Sequence, residues 1–191
     1  LSLRRIDMTE LLIGPARNTG CRDIDGLSEV IIAAAAGQRS PLDDILDAEM
    51  VDEEPYMRSL SAALGLHWLD EIPAPLEPLP LRKICGPQVA LRHRILPIEF
   101  EGSEEHGNQR LVIVTYDPLN LAARQAAVQA VEMPIVWRMA SRRRVHDGLR
   151  RLYGVGADTF EQILEGRDLD YDNLEQSDEA SVIDDDEDEE A

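Results

Sequence analysis

The stretch RLVIVTYDPLNLAARQAAVQAVEMPIVWRM, residues 110–139, decides the fold class. Its opening, RLVIVTY at 110–116, is a run of β-branched residues that reads as a strand. The alanine-rich segment after Asp117-Pro118 reads as an amphipathic helix, and PIVWRM at 134–139 reads as another strand. Strand, helix, strand is the order of an α/β protein, and the acid Asp117 falls at the carboxyl end of its first strand, where such proteins keep their chemistry.

Working outward, RILPIEFE at 94–101 is a strand, GSEEHGN is a polar turn, and the two strands around it form a hairpin. LRKICGPQVALRH is helical in part, with an interruption at Gly86-Pro87. A helix runs from Ser141 to Tyr153 and ends at Gly154 and Gly156; a last short helix, DTFEQILEG, follows. Residues 81–166 are thus expected to form a small three-stranded sheet covered by helices.

Before it, DEIPAPLEPLP at 70–80 holds four of the eleven prolines, so neither a helix nor a central strand runs through it and it is a semi-rigid linker. Residues 27–69 read as a helical subdomain. LSEVIIAAAAGQ closes at Gly37; a second helix takes Ser40 as N-cap and Pro41 as its first residue; a third starts at Asp52 and stops at Gly65. Residues 1–26 are left as an N-terminal extension and 167–191 as an acidic, disordered linker. The class is α/β (α+β), with a small helical bundle at the amino-terminal side.

The formal charge of −19 is concentrated at the end of the chain, since residues 168–191 hold thirteen of the 38 acids and no Lys or Arg. No basic surplus exists to displace counterions from phosphates, so nucleic acid is not an expected partner. Cys21 and Cys85 stand far apart without metal-ligand spacing and read as buried thiols. No apolar run approaches the length of a membrane span, and LSLRRIDMTELLIG lacks the apolar core of a signal peptide, so the expectation is a cytoplasmic protein without direct membrane insertion.

Catalytic signatures are missing from the sequence. GxxxxGK[ST] does not occur, no GxGxxG follows a strand, and His67, His93, His106 and His146 show no ligand or catalytic spacing. No catalytic residue, metal or cofactor is therefore assigned. Asp117 followed by Pro118 reads as a helix cap: the carboxylate accepts an unpaired helix N–H, and proline has none to lose. A phosphoacceptor would need further acids around a metal and a lysine on another strand end. His67, beside Trp68, reads as packing at the end of the bundle.

SRRRVHDGLRRLYG at 141–154 breaks a local rule, because three arginines fall in the first turn of a helix, where the macrodipole favours acids. One reading is a solvated face, since Val145, Leu149 and Leu152 already supply the core stripe. The other is a site for an acidic partner built from Arg142, Arg143, Arg144, Arg150 and Arg151.

In their order, a helical bundle ending in AALGLHWLD, a proline-rich connector, Ile95-Leu96-Pro97-Ile98 in a strand, Asp117-Pro118 after a second strand and Tyr153-Gly154 closing a helix resemble the N-terminal domain of type II secretion and type IV pilus assembly ATPases, over about residues 27–165. The resemblance implies a non-catalytic docking and regulatory domain that attaches a cytoplasmic motor to an inner-membrane platform protein. ATP, Mg and hexamer formation would then belong to a downstream motor domain of the same protein. Some members of the wider family bind cyclic di-GMP through a motif starting Arg-Leu-Gly. Here Pro41, Leu42 and Asp43 stand in those places, Glu49 replaces a later Gly and Ala63 a closing Gln, which makes a cyclic di-GMP sensor the alternative reading.

Overall fold

The computed structural model describes residues 8–103 and 105–154. The expected last helix, DTFEQILEG, and the acidic 167–191 segment lie outside them. Among the described residues four helices come first: α1 Met8–Asn18, α2 Ile24–Ala36, α3 Leu42–Asp47 and α4 Glu53–Leu64. Then follow β1 His67–Trp68, α5 Pro78–Ile84, α6 Pro87–His93, β2 Ile95–Glu101, β3 Arg110–Thr115, α7 Leu121–Ala130, β4 Ile135–Met139 and α8 Arg142–Tyr153.

The bundle is built on short amphipathic helices that no single helix of this length could sustain alone. Leu12, Ile13 and Ala16 of α1, Leu27 and Ile31 of α2, Leu42, Ile45 and Leu46 of α3, and Tyr56, Met57 and Leu60 of α4 are all buried. Within the expected N-terminal extension, Met8–Asn18 form α1, which packs on α4 and supplies part of the bundle core. A proline inside α1, Pro15, hid that helix from the sequence reading. α4 ends where the sequence placed its stop: Gly65 adopts φ 67°, a left-handed conformation that a side chain would strain.

Among the described residues the sheet has four strands, in the order β1-β4-β3-β2. β2 and β3 form the expected antiparallel hairpin, while β3, β4 and β1 are mutually parallel. The strand missed by the sequence reading is β1. His67 is consequently at a sheet edge and exposed, not packed at the end of the bundle. Two residues carry no periodicity; the strand forms because α4 stops at Gly65 and the next backbone groups meet β4, with the Leu69 N–H donating to Met139 O at 2.8 Å. The linker is also shorter than expected, since α5 starts at Pro78 with proline in the first turn, where no N–H is lost.

Register places Trp137 beside Ile113 and Arg138 beside Val114, so alternation sends Trp137 and Arg138 to opposite faces. α7 covers the first face, with the Arg124 guanidinium 5.2 Å from the Trp137 ring centroid. α8 covers the other and comes so close that a Cβ on Gly148 would sit 2.3 Å from Leu96 Cδ2. The motif residues have local causes. Pro97 stands on edge strand β2 at a register shift, a position where a missing N–H is tolerated. The buried Tyr153 hydroxyl donates to Cys85 O at 2.5 Å, fixing α8 to the end of α5.

Candidate functional site

Because β1, β3 and β4 run the same way, their carboxyl ends meet at one edge of the sheet. Arg94 enters β2 at that edge, Tyr116 and Asp117 leave β3, and Ser141 and Arg142 leave β4. In open α/β sheets this edge is where ligands bind. Here the helical bundle of the same chain occupies it, through Ser40, Asp43 and Asp47 around α3 and Glu53 and Glu54 at the start of α4.

The contacts are polar and specific. Arg94 donates to Asp43 Oδ2 at 2.7 Å and to the Tyr116 hydroxyl at 2.6 Å, and that hydroxyl donates to Asp43 Oδ1 at 2.9 Å. Arg94 reaches them from a left-handed backbone, φ 53°, which a non-glycine residue rarely adopts. Burial pushes the Tyr116 phenol well above its ordinary range, against the pull of Arg94. The His146 ring meets Tyr116 edge to face at 5.6 Å. Burial, reinforced by Arg94 and Arg142, holds His146 down at about 4 and therefore neutral near pH 7.

Asp117 is buried and takes part in this interface, although not as the cap of α7. That cap is Asn120, whose side chain accepts from the Ala123 N–H at 3.0 Å, and the helix begins at Leu121 instead of Pro118. Asp117 Oδ1 accepts the Leu119 N–H at 3.1 Å and the Ser40 hydroxyl at 2.8 Å. It closes a turn one step before the helix and binds the bundle to the sheet. An Asp-Pro-x-Asn sequence offers two candidate caps, and the second is the one aligned with the helix N–H groups. Ser40 is correspondingly not the N-cap of α3: Pro41 holds that position, and the Ser40 hydroxyl is turned toward Asp117. Burial raises the Asp117 carboxyl to about 6, and nearby Asp43 adds to the rise.

The arginine run is explained by the same interface. Glu53 Oε1 accepts the Arg142 backbone N–H at 2.9 Å, so an acid of the bundle sits on the positive end of α8, and Ser141 caps the Arg144 N–H. Arg142 pairs with Asp47 at 2.5 Å and lies 3.8 Å from Asp43; Arg144 pairs with Glu54 at 3.3 Å. The acidic surface that completes these arginines thus belongs to this chain. Arg143 is 90% exposed, Arg151 is exposed, and Arg150 pairs with Asp147. The five expected partner-site arginines consequently divide: two hold the bundle, three point outward along α8.

Glu53, Arg94 and Tyr116 were not singled out from sequence, and Ser40, Asp43 and Asp47 were not read there as parts of an interface. A regional charge count carries their signal: residues 1–80 have 15 acids and 6 bases, whereas residues 81–154 have 7 acids and 12 bases. Opposite charge on consecutive pieces marks them as mutual partners. Among the described residues, no group of three or more His, Cys, Asp or Glu is placed to hold a metal ion. No helix of those residues is long and apolar enough to cross a membrane. Cys85 is buried, while Cys21 is partly exposed, its Sγ 3.2 Å from Met50 O.

Comparisons agree with this architecture. The family model of the MshEN domain matches residues 64–159. A solved structure of MshE with cdg is 21% identical, with a TM-score of 0.56 over 74% of this chain and 98% of that one. The N-terminal domain of XpsE is 18% identical, with a TM-score of 0.55 over 75% of this chain and 94% of that one. No curated protein matches. The matched span begins at the end of α4 and takes in the whole sheet, α7 and α8. The chain belongs to the MshEN domain family, the N-terminal domains of type II secretion and type IV pilus assembly ATPases.

Proposed function

We propose that this chain is the docking and regulatory N-terminal domain of such an ATPase, attaching a cytoplasmic motor to the cytoplasmic domain of an inner-membrane platform protein. One observation carries the reading. The sheet edge at which α/β proteins hold substrates is closed by the chain's own bundle through Arg94, Asp43, Asp117 and Arg142, which favours a surface for protein contact over an internal catalytic pocket. ATP and Mg have their place in the motor domain of the parent protein, as does hexamer formation.

The alternative is cyclic di-GMP sensing, favoured by the similarity to MshE, whose solved structure is with cdg. Against it stand Pro41, Leu42 and Asp43 in place of Arg-Leu-Gly. Asp43 is already bound to Arg94 and Tyr116, and its charge opposes a phosphate. Calorimetric titration separates the two readings. The adaptor reading expects saturable binding of the platform's cytoplasmic domain and no heat with cyclic di-GMP. Saturable cyclic di-GMP binding with no response to the platform domain would reverse the assignment.

A further inference from the structure

The acids of the helical bundle are not used evenly. Asp43, Asp47 and Glu54 face the sheet and are paired with Arg94, Arg142 and Arg144. Away from that seam, the α1–α2 and α3–α4 turns enclose a groove of about 890 Å³. Its apolar floor is made by half-buried Cys21, Val30, Met50 and Val51, which pack against the bundle core. The groove is preformed, because the Cys21 thiol donates to Met50 O at 3.2 Å and ties the two turns together. Asp23, Glu29, Glu49 and Asp52 stand around the floor, all exposed, and Arg22 is the one base among the described residues that line it. Asp23 gives Oδ1 to the Gly26 N–H at 2.9 Å, and among the described residues none of the four acids belongs to an ion pair, unlike Glu10, Asp44 and Glu54 of the same bundle.

We propose that this groove docks a partner segment in which Lys or Arg alternates with apolar side chains. The charge of the lining selects the occupant. An acidic segment would meet four carboxylates of like charge, and a neutral apolar one would cover them without pairing them. A basic segment pairs them, four acids against the single Arg22 leaving two or three cations to be supplied. In an extended chain alternate side chains point to opposite sides, so the apolar ones can rest on Cys21, Val30, Met50 and Val51. The longer basic ones curl along the walls, their aliphatic stems on apolar surface and their charged ends at Glu29, Glu49 and Asp52. The inference goes beyond the adaptor reading: it fixes the chemistry of the bound segment and holds whichever protein supplies it.

Titration of the full chain with the pentapeptide KLKLK and with its counterpart KSKSK, followed by amide chemical shifts, tests the proposal. KLKLK is expected to shift Cys21, Val30, Met50 and Val51 saturably and to slow alkylation of Cys21, whose partner cysteine, Cys85, is buried and silent. It should bind about tenfold more tightly than KSKSK, and its affinity should fall about tenfold in E29Q/E49Q, whose changes lie on exposed side chains. D184N/D185N/D186N, in the acid-rich end of the chain, controls for attraction by charge alone and should leave the affinity unchanged. Equal affinity for the two peptides, an affinity unaltered in E29Q/E49Q, or one lost in D184N/D185N/D186N would each overturn the proposal, as would the lack of a saturable shift at the groove.

Discussion

Replacing Asp117 with Asn is expected to stabilise the protein at neutral pH. Its carboxyl rises from 3.8 to about 6, chiefly by burial, so the ionised form is the disfavoured one inside the fold. At about 1.4 kcal/mol per tenfold change in proton affinity, this is worth about 3 kcal/mol. The sign follows from proton uptake: between pH 3.8 and about 6 the folded state binds more protons at this residue, so its contribution is full below 3.8 and is lost as pH rises through 6. Both hydrogen bonds to Asp117 end on Oδ1, so Asn retains the acceptor for Ser40 and for Leu119. Asp117→Asn should therefore gain up to about 3 kcal/mol at pH 7.5, shrinking to nothing near pH 4. His146 has the opposite sign. Its imidazole falls from 6.5 to about 4, so the unfolded state takes up the proton first and stability drops as pH falls below 6.5. In the wild type the two slopes oppose each other over nearly the same window. In Asp117→Asn the His146 slope is no longer opposed by that carboxyl, and His146 alone should add about 3 kcal/mol of stability from pH 4 to 6.5, with His93, also lowered by burial, acting in the same direction. Urea unfolding followed by the fluorescence of Trp68 and Trp137 at several pH values reads both effects. A variant less stable than wild type at pH 7.5, or a difference independent of pH, would refute the reasoning.

Three further outcomes follow from the same geometry. Gly148→Ala trades about 1 kcal/mol of helix propensity against about 1–3 kcal/mol of overpacking on Leu96, for a net loss near 1 kcal/mol; in a Leu96→Val background the loss should disappear, which paired denaturation curves check. Asn120→Ala should cost about 0.5–2 kcal/mol as the cap of α7, whereas Asn120→Asp should cost little, by thermal unfolding. A double-mutant cycle on Arg142 and Asp47, whose side chains are 24% and 66% exposed, should give a coupling under about 1 kcal/mol that fades in high salt.

Much of the architecture was legible because it is periodic. Strands β2, β3 and β4 appear within a residue or two of their expected bounds, as does α8, whose Ser141 cap and Gly154 stop are local signals. What the sequence concealed depends on long-range contacts. β1 exists only because β4 lies beside it, and α1 is stabilised by packing on α4 despite Pro15. The choice between Asp117 and Asn120 as helix cap could not be made from residue types, since both are good caps; Ser40, 77 positions away in sequence, decides it by binding Asp117. The arginines at the start of α8 were recognised as needing compensation, and the sequence could not say that Asp47, Glu53 and Glu54 provide it.

The central claim is that this domain reaches the inner membrane only through a partner. The direct test expresses the full chain in cells with and without the platform protein, then separates membrane from soluble material. The account predicts recovery with the membrane when the platform protein is present and loss of that fraction when it is deleted. An unchanged distribution between the two strains would contradict it.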